Sequence, residues 1–336
     1  MPAHAKVTCI TSVADEGGAA RETLASLIAQ IHGALEIILV DDGADAATRA
    51  AVADLADPRI MRVTRSRGGW ASAWNAGLAL ATGEWVCFLR AGDLRPPWAI
   101  AAMLEAGERT GADLVSARAM AAGPDGRARQ MPDWEIFAWL ADWMPEGGYV
   151  EPGQRLFEEH AAFFARMEPE AGAKLLRREF LVREGIVFPN GREWAELFFH
   201  ALVTARARRM APMLAPCLTR IRRHGDPRTA RERAAAFDAL GVARLTLEAV
   251  AREPRARGMR FRSAVAGAVG RMLSSARSLV GHGDRAAFDR LAAFVAGEAP
   301  AIFGALLPEA EAARFADPGG LARFRLLRAA PAGAGA

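Results

Sequence analysis

The residues able to do chemistry gather where apolar runs stop. Residues 35–40 (LEIILV) lead into Asp41-Asp42-Gly43, and residues 84–89 (EWVCFL) into Arg90-Ala91-Gly92-Asp93. A third stretch, Arg65-Ser66-Arg67-Gly68-Gly69, opens an amphipathic segment. In an open parallel sheet, ligands bind beyond the carboxyl ends of the strands, where loops and helix N-termini converge. Acids and arginines along such an edge suit a ribose, a base and a diphosphate. Asp41 or Asp42 can accept from ribose hydroxyls or a base N–H, while Arg67 and Arg90 can neutralise phosphate. A plainer reading competes with this one: an aspartate after a strand also caps the helix that follows.

The elements that must position these residues follow from the apolar pattern. Residues 6–13 read as a strand, and Ala20, Leu24, Leu27, Ile28 and Ile31 fall at helical spacing. Residues 35–40 are nearly all apolar, as a strand covered on both faces would be. A short strand at 59–64, a helix at 70–81 and a strand at 84–89 come next. Pro96-Pro97 start a helix to about residue 109, and a strand follows at 112–116. This alternation predicts an α/β fold with a mostly parallel sheet flanked by helices. Residues 130–165 break the rhythm with Trp134, Phe137, Trp139, Phe163 and Phe164, either an acceptor-stacking surface or, as the spacing favours, a buried helix face. Beyond about residue 228 the pattern is helical; Val265, Val269, Met272, Leu273, Ala276 and Leu279 form one apolar stripe among arginines. Such a helix can lie on an anionic membrane or pack on its neighbours, and packing is expected. The predicted organisation is an α/β domain over 1–228, a helical C-terminal domain over 229–330 and a flexible tail at 331–336.

Bulk composition narrows the function classes. The 336 residues carry 43 basic and 39 acidic side chains. Lys6 and Lys174 are the only lysines, and the arginines are interleaved with acids, so no nucleic-acid partner is expected. Cys9, Cys87 and Cys217 lack metal-ligand spacing and read as small core residues of a reducing compartment. The opening residues lack the apolar stretch of a signal peptide, and no uncharged run is long enough to span a bilayer. The expectation is a cytoplasmic protein, with peripheral contact at the inner face of the membrane left open.

Taken in order, these pieces resemble the family 2 glycosyltransferases. The match runs from VTCITSV through LEIILVDDG to RGGWASAWNAGLALATGEWVCFLRAGD, and resumes with KLLRREFLVREGIVFPNGREWAELFFHALVTA and IRRH, over about residues 6–225. The resemblance implies a GT-A fold over 1–228, a nucleotide-diphosphate-sugar donor, a carbohydrate or glycoconjugate acceptor, and transfer with inversion by a single displacement. It places Asp41 and Asp42 against the nucleoside, with Asp15, Asn75 and Asp93 on the donor side, where the strand-end reading also puts Arg67 and Arg90. Glu196 falls on the general base, where an aspartate is more usual. Arg192, Arg222 and His224 fall on the acceptor or phosphate side. Surface polysaccharide or glycoconjugate assembly is the family's usual setting, and the C-terminal helices are a candidate homodimer surface.

The chain departs from the family at the metal motif. FLDxDD is replaced by Phe88-Leu89-Arg90-Ala91-Gly92-Asp93, which keeps one carboxylate and adds an arginine. Magnesium wants several oxygen ligands. Either Asp93 and the donor phosphates hold a divalent cation (Mg or Mn), or Arg90 does its electrostatic work without metal. Trp74 stands where arginine is usual, and Ser12 where proline is usual. The alternative to an active enzyme is an inactive relative serving as scaffold or sugar-nucleotide-binding module, although such a chain has no reason to keep acids at both Asp93 and Glu196.

Overall fold

A computed structural model of the chain describes residues 5–123, 125–144, 148–152, 154, 157–221, 227–254 and 258–330. The chain forms two compact units. The first comprises Met1–Pro152, Glu170–Gly191 and Ala207–Pro227; the second comprises Gly153–Pro169, Arg192–Arg206 and Arg228–Ala336. The helices beyond residue 228 thus gather two earlier segments into their own unit.

The first unit is built on one sheet. Its strands are β1 (Val7–Val13), β2 (Leu35–Asp42), β3 (Ile60–Arg65), β4 (Trp85–Arg90), β5 (Leu114–Ala122), β6 (Ala128–Gln130), β7 (Lys174–Arg177) and β8 (Met210–Ile221). They lie in the order β3-β2-β1-β4-β7-β5-β6, with β8 paired to β5. β1 to β4 pair in parallel, as does β8 with β5, whereas β7 is antiparallel to both β4 and β5. The helices of this unit are α1 (Gly18–Ile28), α2 (Ala46–Ala53), α3 (Trp70–Leu80), α4 (Ala99–Thr110), α5 (Trp134–Trp143) and α7 (Arg178–Arg183). The result is the expected α/β architecture of a mostly parallel sheet flanked by helices.

Strand alternation divides the core. Val7, Cys9, Ile37, Leu39, Trp85, Cys87 and Leu89 pack with Leu24 and Leu27 of α1 and Met103 and Leu104 of α4. α3 packs against β1 and β2. There Gly77 is required, because an added Cβ would lie 2.5 Å from Ile10 Cγ2. Cys9 and Cys87 face each other across neighbouring strands, Sγ to Sγ 2.9 Å, and all three cysteines are free and buried. Burial pushes the Cys217 thiol up to about 12, in keeping with an inert core residue.

The second unit holds α6 (Phe157–Arg166), α8 (Glu196–Arg206), α9 (Pro227–Ala234), α10 (Asp238–Ala251), α11 (Met259–Leu279), α12 (Arg285–Gly297), α13 (Glu309–Ala312) and α14 (Pro318–Ala329). The α11 stripe of Val265, Val269, Met272, Leu273 and Ala276 is buried, and α11 packs on α14 and α6. Gly270 and Gly320 let α11 and α14 touch backbone to backbone, since a Cβ on Gly270 would overlap the Gly320 carbonyl. Packing therefore wins over a membrane-facing role for that stripe. Among the described residues, no helix is long and apolar enough to cross a membrane. The aromatic stretch also goes mostly to the core: Phe137, Phe163 and Phe164 are buried, while Trp134 is exposed.

Candidate functional site

The carboxyl edge of the sheet is built from the loops after β1 to β4. Asp41 and Asp42 end β2 with opposite orientations, as successive strand residues must. Asp42 is buried, and its two oxygens accept from the Gly68 and Gly69 amides at 2.9 and 2.8 Å, with Arg65 Nε at 3.4 Å. It pins the glycine loop that leads into α3. Asp41 accepts from the Ala44 amide and from Arg49 Nε, each at 2.7 Å. The Arg49 hydrogen bond holds the Asp41 carboxyl below its ordinary value. Helix capping, the plainer reading for this pair, falls instead to Asp45, whose side chain accepts from the Thr48 amide.

Arg67 is half exposed and reaches the Gly43 carbonyl at 3.2 Å and Asp15 at 3.5 Å. The loops after β1, β2 and β3 thereby meet in one polar rim. Each carboxylate there is an acceptor-only group with about four lone-pair sites, so its protein bonds leave capacity for ligand hydroxyls. Arg49 and Arg67 are long, half-exposed cations that can turn toward an anion at small cost.

The β4 turn is held more tightly. The Asp93 amide donates to the Arg90 carbonyl at 3.0 Å. The buried Thr23 hydroxyl accepts from the Gly92 amide at 2.7 Å and donates to the Asp93 carbonyl at 2.8 Å. Beneath it, buried Arg95 donates to the Gly172 carbonyl at 2.6 Å. On this rigid turn the Arg90 guanidinium carbon lies 4.0 Å from the Trp70 ring centroid, a stacked cation–π contact. Trp70 was not among the sequence candidates, yet the Arg90 guanidinium stacks on this helix-start tryptophan. Glu170 was also missed: it is buried and pairs with Arg220 at 3.3 Å. No sequence spacing announces a pair fifty residues apart.

Asn75 bonds to a different segment. Its amide grips the Phe188–Asn190 segment: Nδ2 donates to the Phe188 carbonyl and to Asn190 Oδ1, both at 2.8 Å, and Oδ1 accepts from the Phe188 amide at 2.9 Å.

The remaining candidates belong to the second unit or are not described. Glu196 is the first residue of α8 and is half-buried. Arg192 donates to Asp238 at 2.9 Å, and Glu193, a further acid near the helix start, lies 3.8 Å from Arg231. Arg222 and His224 lie outside the described residues.

The donor set does not make a protein metal site. Among the described residues, no three His, Cys, Asp or Glu side chains gather to hold an ion. The β4 turn offers one carboxylate, that of the buried Asp93. A hard divalent cation requires more oxygen ligands than that turn supplies.

A parallel-stranded half-sheet with acids and arginines along its carboxyl edge, closed by antiparallel β7, is the architecture of the GT-A transferases. Comparison with known proteins agrees. Residues 8–173 match the family described as Glycosyl transferase family 2, so that stretch of the chain is a family 2 glycosyltransferase domain. It is 27% identical over 183 residues to the succinoglycan biosynthesis protein ExoO of Rhizobium meliloti (strain 1021), covering 54% of this chain and 50% of that protein. An uncharacterized glycosyltransferase of Nostoc sp. is 37% identical over 83 residues, 24% of this chain and 26% of the relative. The chain thus spans half or less of the length of these curated relatives. Among solved structures, S. aureus TarS 1–349 in complex with UDP superposes with a TM-score of 0.66 over 96% of this chain and 90% of that one, at 14% identity. The same protein with UDP-GlcNAc gives 0.61 over the same shares, at 13% identity. At such identity the likeness is one of fold.

Proposed function

We propose that the chain transfers a sugar from a nucleoside-diphosphate donor to an acceptor hydroxyl with inversion, in the assembly of a surface polysaccharide or glycoconjugate. The observation that supports this best is the carboxyl edge, where Asp15, Asp41, Asp42, Arg67, Arg90 and Asp93 stand on loops of neighbouring strands. Asp15, Asp41 and Asp42 accept from the nucleoside, while Arg67 and Arg90 meet the diphosphate, and Asp93 lies beside Arg90 on the β4 turn. In the reaction the acceptor oxygen attacks the anomeric carbon, the bond to the diphosphate breaks on the opposite face, and Glu196 takes the hydroxyl proton. Negative charge then grows on the leaving diphosphate, where a preoriented guanidinium is most effective. The setting is inferred from ExoO, named for succinoglycan biosynthesis, and the donor class from TarS, solved with UDP and UDP-GlcNAc.

The test is a thermal-shift screen of the full chain against UDP-, GDP-, CDP- and dTDP-sugars, with and without manganese. One nucleotide class is expected to raise the melting temperature by mass action. No shift with any of them overturns the reading. Arg90→Ala should weaken donor binding by about tenfold, the value of one charge-assisted contact, and EDTA should leave most wild-type turnover intact. Complete inhibition by EDTA beside a silent Arg90→Ala would return the diphosphate to a cation held by Asp93.

A further inference from the structure

We infer that Asn75 is a positioning residue for the transfer and not a donor ligand; the inference rests on the glycosyl-transfer reading above. An asparagine side chain offers two N–H donors and one carbonyl acceptor. Both donors and the carbonyl are engaged by one segment of the chain, through the Phe188 carbonyl, Asn190 Oδ1 and the Phe188 amide. The side chain thus completes Phe188 as a neighbouring strand would, satisfying its N–H and C=O together. Three residues before Asn75 in sequence, and so on the same side of α3, the Ser72 hydroxyl accepts from the Gly191 amide at 3.3 Å. The Phe188 ring is fully buried between Trp70, Trp74 and Phe88, with centroids at 5.6, 5.3 and 5.1 Å.

α3 therefore holds residues 188–191 by side-chain bonds at both ends and a ring in the middle. Gly191, with φ of 67°, is the last residue of this segment in the first unit, and the chain continues directly into Arg192, Glu193 and Glu196. Trp70, on which Arg90 stacks, lies five residues before Asn75 on the same helix. One helix thus fixes both the guanidinium proposed for the diphosphate and the root of the segment that carries the proposed base. Asparagine suits the task and aspartate does not, because a carboxylate would face the Phe188 carbonyl and Asn190 Oδ1 with no hydrogen to give. Alanine would remove the bonds that this side chain makes to the Phe188 amide and carbonyl.

The experiment compares wild type with Asn75→Ala, Asn75→Asp and Asn190→Ala in the full chain. Readouts are calorimetric binding of UDP and GDP, steady-state release of nucleoside diphosphate from the matching sugar nucleotides, and hydrogen exchange of the peptide spanning 186–191. Both Asn75 variants should lose about a hundredfold in kcat, the scale expected when a reacting group is misplaced by about an ångström. KM for the sugar nucleotide and Kd for the diphosphate should stay within about twofold, since no donor contact is removed. Exchange at 186–191 should rise, and Asn190→Ala, which removes one bond of three, should give a smaller loss of kcat. A rise in KM and Kd with kcat unchanged would make Asn75 a donor ligand and overturn the inference, as would unchanged exchange at 186–191. If an Asn75 variant fails to fold, Asn190→Ala with Ser72→Ala carries the same test, removing one bond at each end. A wild type that binds no nucleotide overturns the transfer reading itself; normal binding with unaltered turnover in Asn75→Ala overturns this inference alone.

Discussion

At the amino edge of the sheet, the Glu36 carboxylate collects Lys6 Nζ at 3.0 Å, the Thr8 hydroxyl at 2.5 Å, and the Thr82 amide and hydroxyl at 3.0 and 2.7 Å. At the carboxyl edge, Asp41 and Asp42 take their partners from loop amides and from arginines. Burial by itself would push the Glu36 carboxyl up, but its four donors outweigh that and bring it down to about 2. Its bonds tie β1, β2 and the turn before β4 into one network. Asp41 also sits below its ordinary value, yet its main cause is Arg49, a half-exposed side chain. The same residue chemistry thus serves folding where several donors close around one carboxylate, as at Glu36, and suits binding where the main partner is a half-exposed arginine, as at Asp41.

This contrast is broken most severely by removing the proposed base. Glu196→Gln should lower turnover by about 10²–10⁴-fold, the usual contribution of a general base, and should leave diphosphate binding and the melting temperature nearly unchanged. Glu193→Gln, which disturbs the acid beside Arg231, should cost less. If Glu193→Gln is the silent enzyme and Glu196→Gln turns over normally, the base is Glu193.

Asp42→Asn sharpens the comparison from the carboxyl edge. An amide keeps one acceptor and turns a donor toward the second glycine N–H. Losing one bond to a buried charged acceptor should cost about 1.5–3 kcal/mol, read as a melting temperature lower by several degrees. Because the glycine loop leads into α3, diphosphate affinity should fall with it. A variant that is less stable but binds UDP or GDP as wild type does would make Asp42 purely structural.

Much of this edge was legible in advance, for identifiable reasons. β1, β2 and β4 are covered on both faces, so each reads as an apolar run, and the residues after each run fall at the carboxyl edge by topology. α2 was not legible, because AATRAAVA is alanine-rich and carries almost no apolar periodicity. β7 is four residues set between a short 3-10 turn and a helix, and β8 contains Pro212 and Pro216, which argue against a strand. Those prolines are accommodated because the register with β5 shifts between Ala117 and Ala119, and the isolated bridges of β8 to Leu94 and Val150 fall at Thr219 and Met210, away from the prolines. Arg90 was legible as a motif departure, but its tryptophan platform was not. Asn75 was legible as a motif position and illegible in its role, since its partners lie more than a hundred residues away.

The smallest expected effect belongs to Glu36→Gln, and it separates the two edges by pH. Glutamine still accepts from a threonine but loses the ion pair and an acceptor, worth about 1 kcal/mol for a partly exposed pair and its shared bonds. The Glu36 carboxyl titrates near 2 in the folded chain against an ordinary value of 4.5. A depressed folded value means that the stabilisation is complete above about 4.5 and is lost as the pH falls through 2. The melting-temperature gap between wild type and Glu36→Gln should therefore be constant from pH 7 to 5.5, narrow below 4.5 and close near 2, while UDP and GDP affinity at pH 7 stays unchanged. A gap that ignores pH would remove the charge from the account, and a loss of nucleotide affinity would mean that the two edges are not independent.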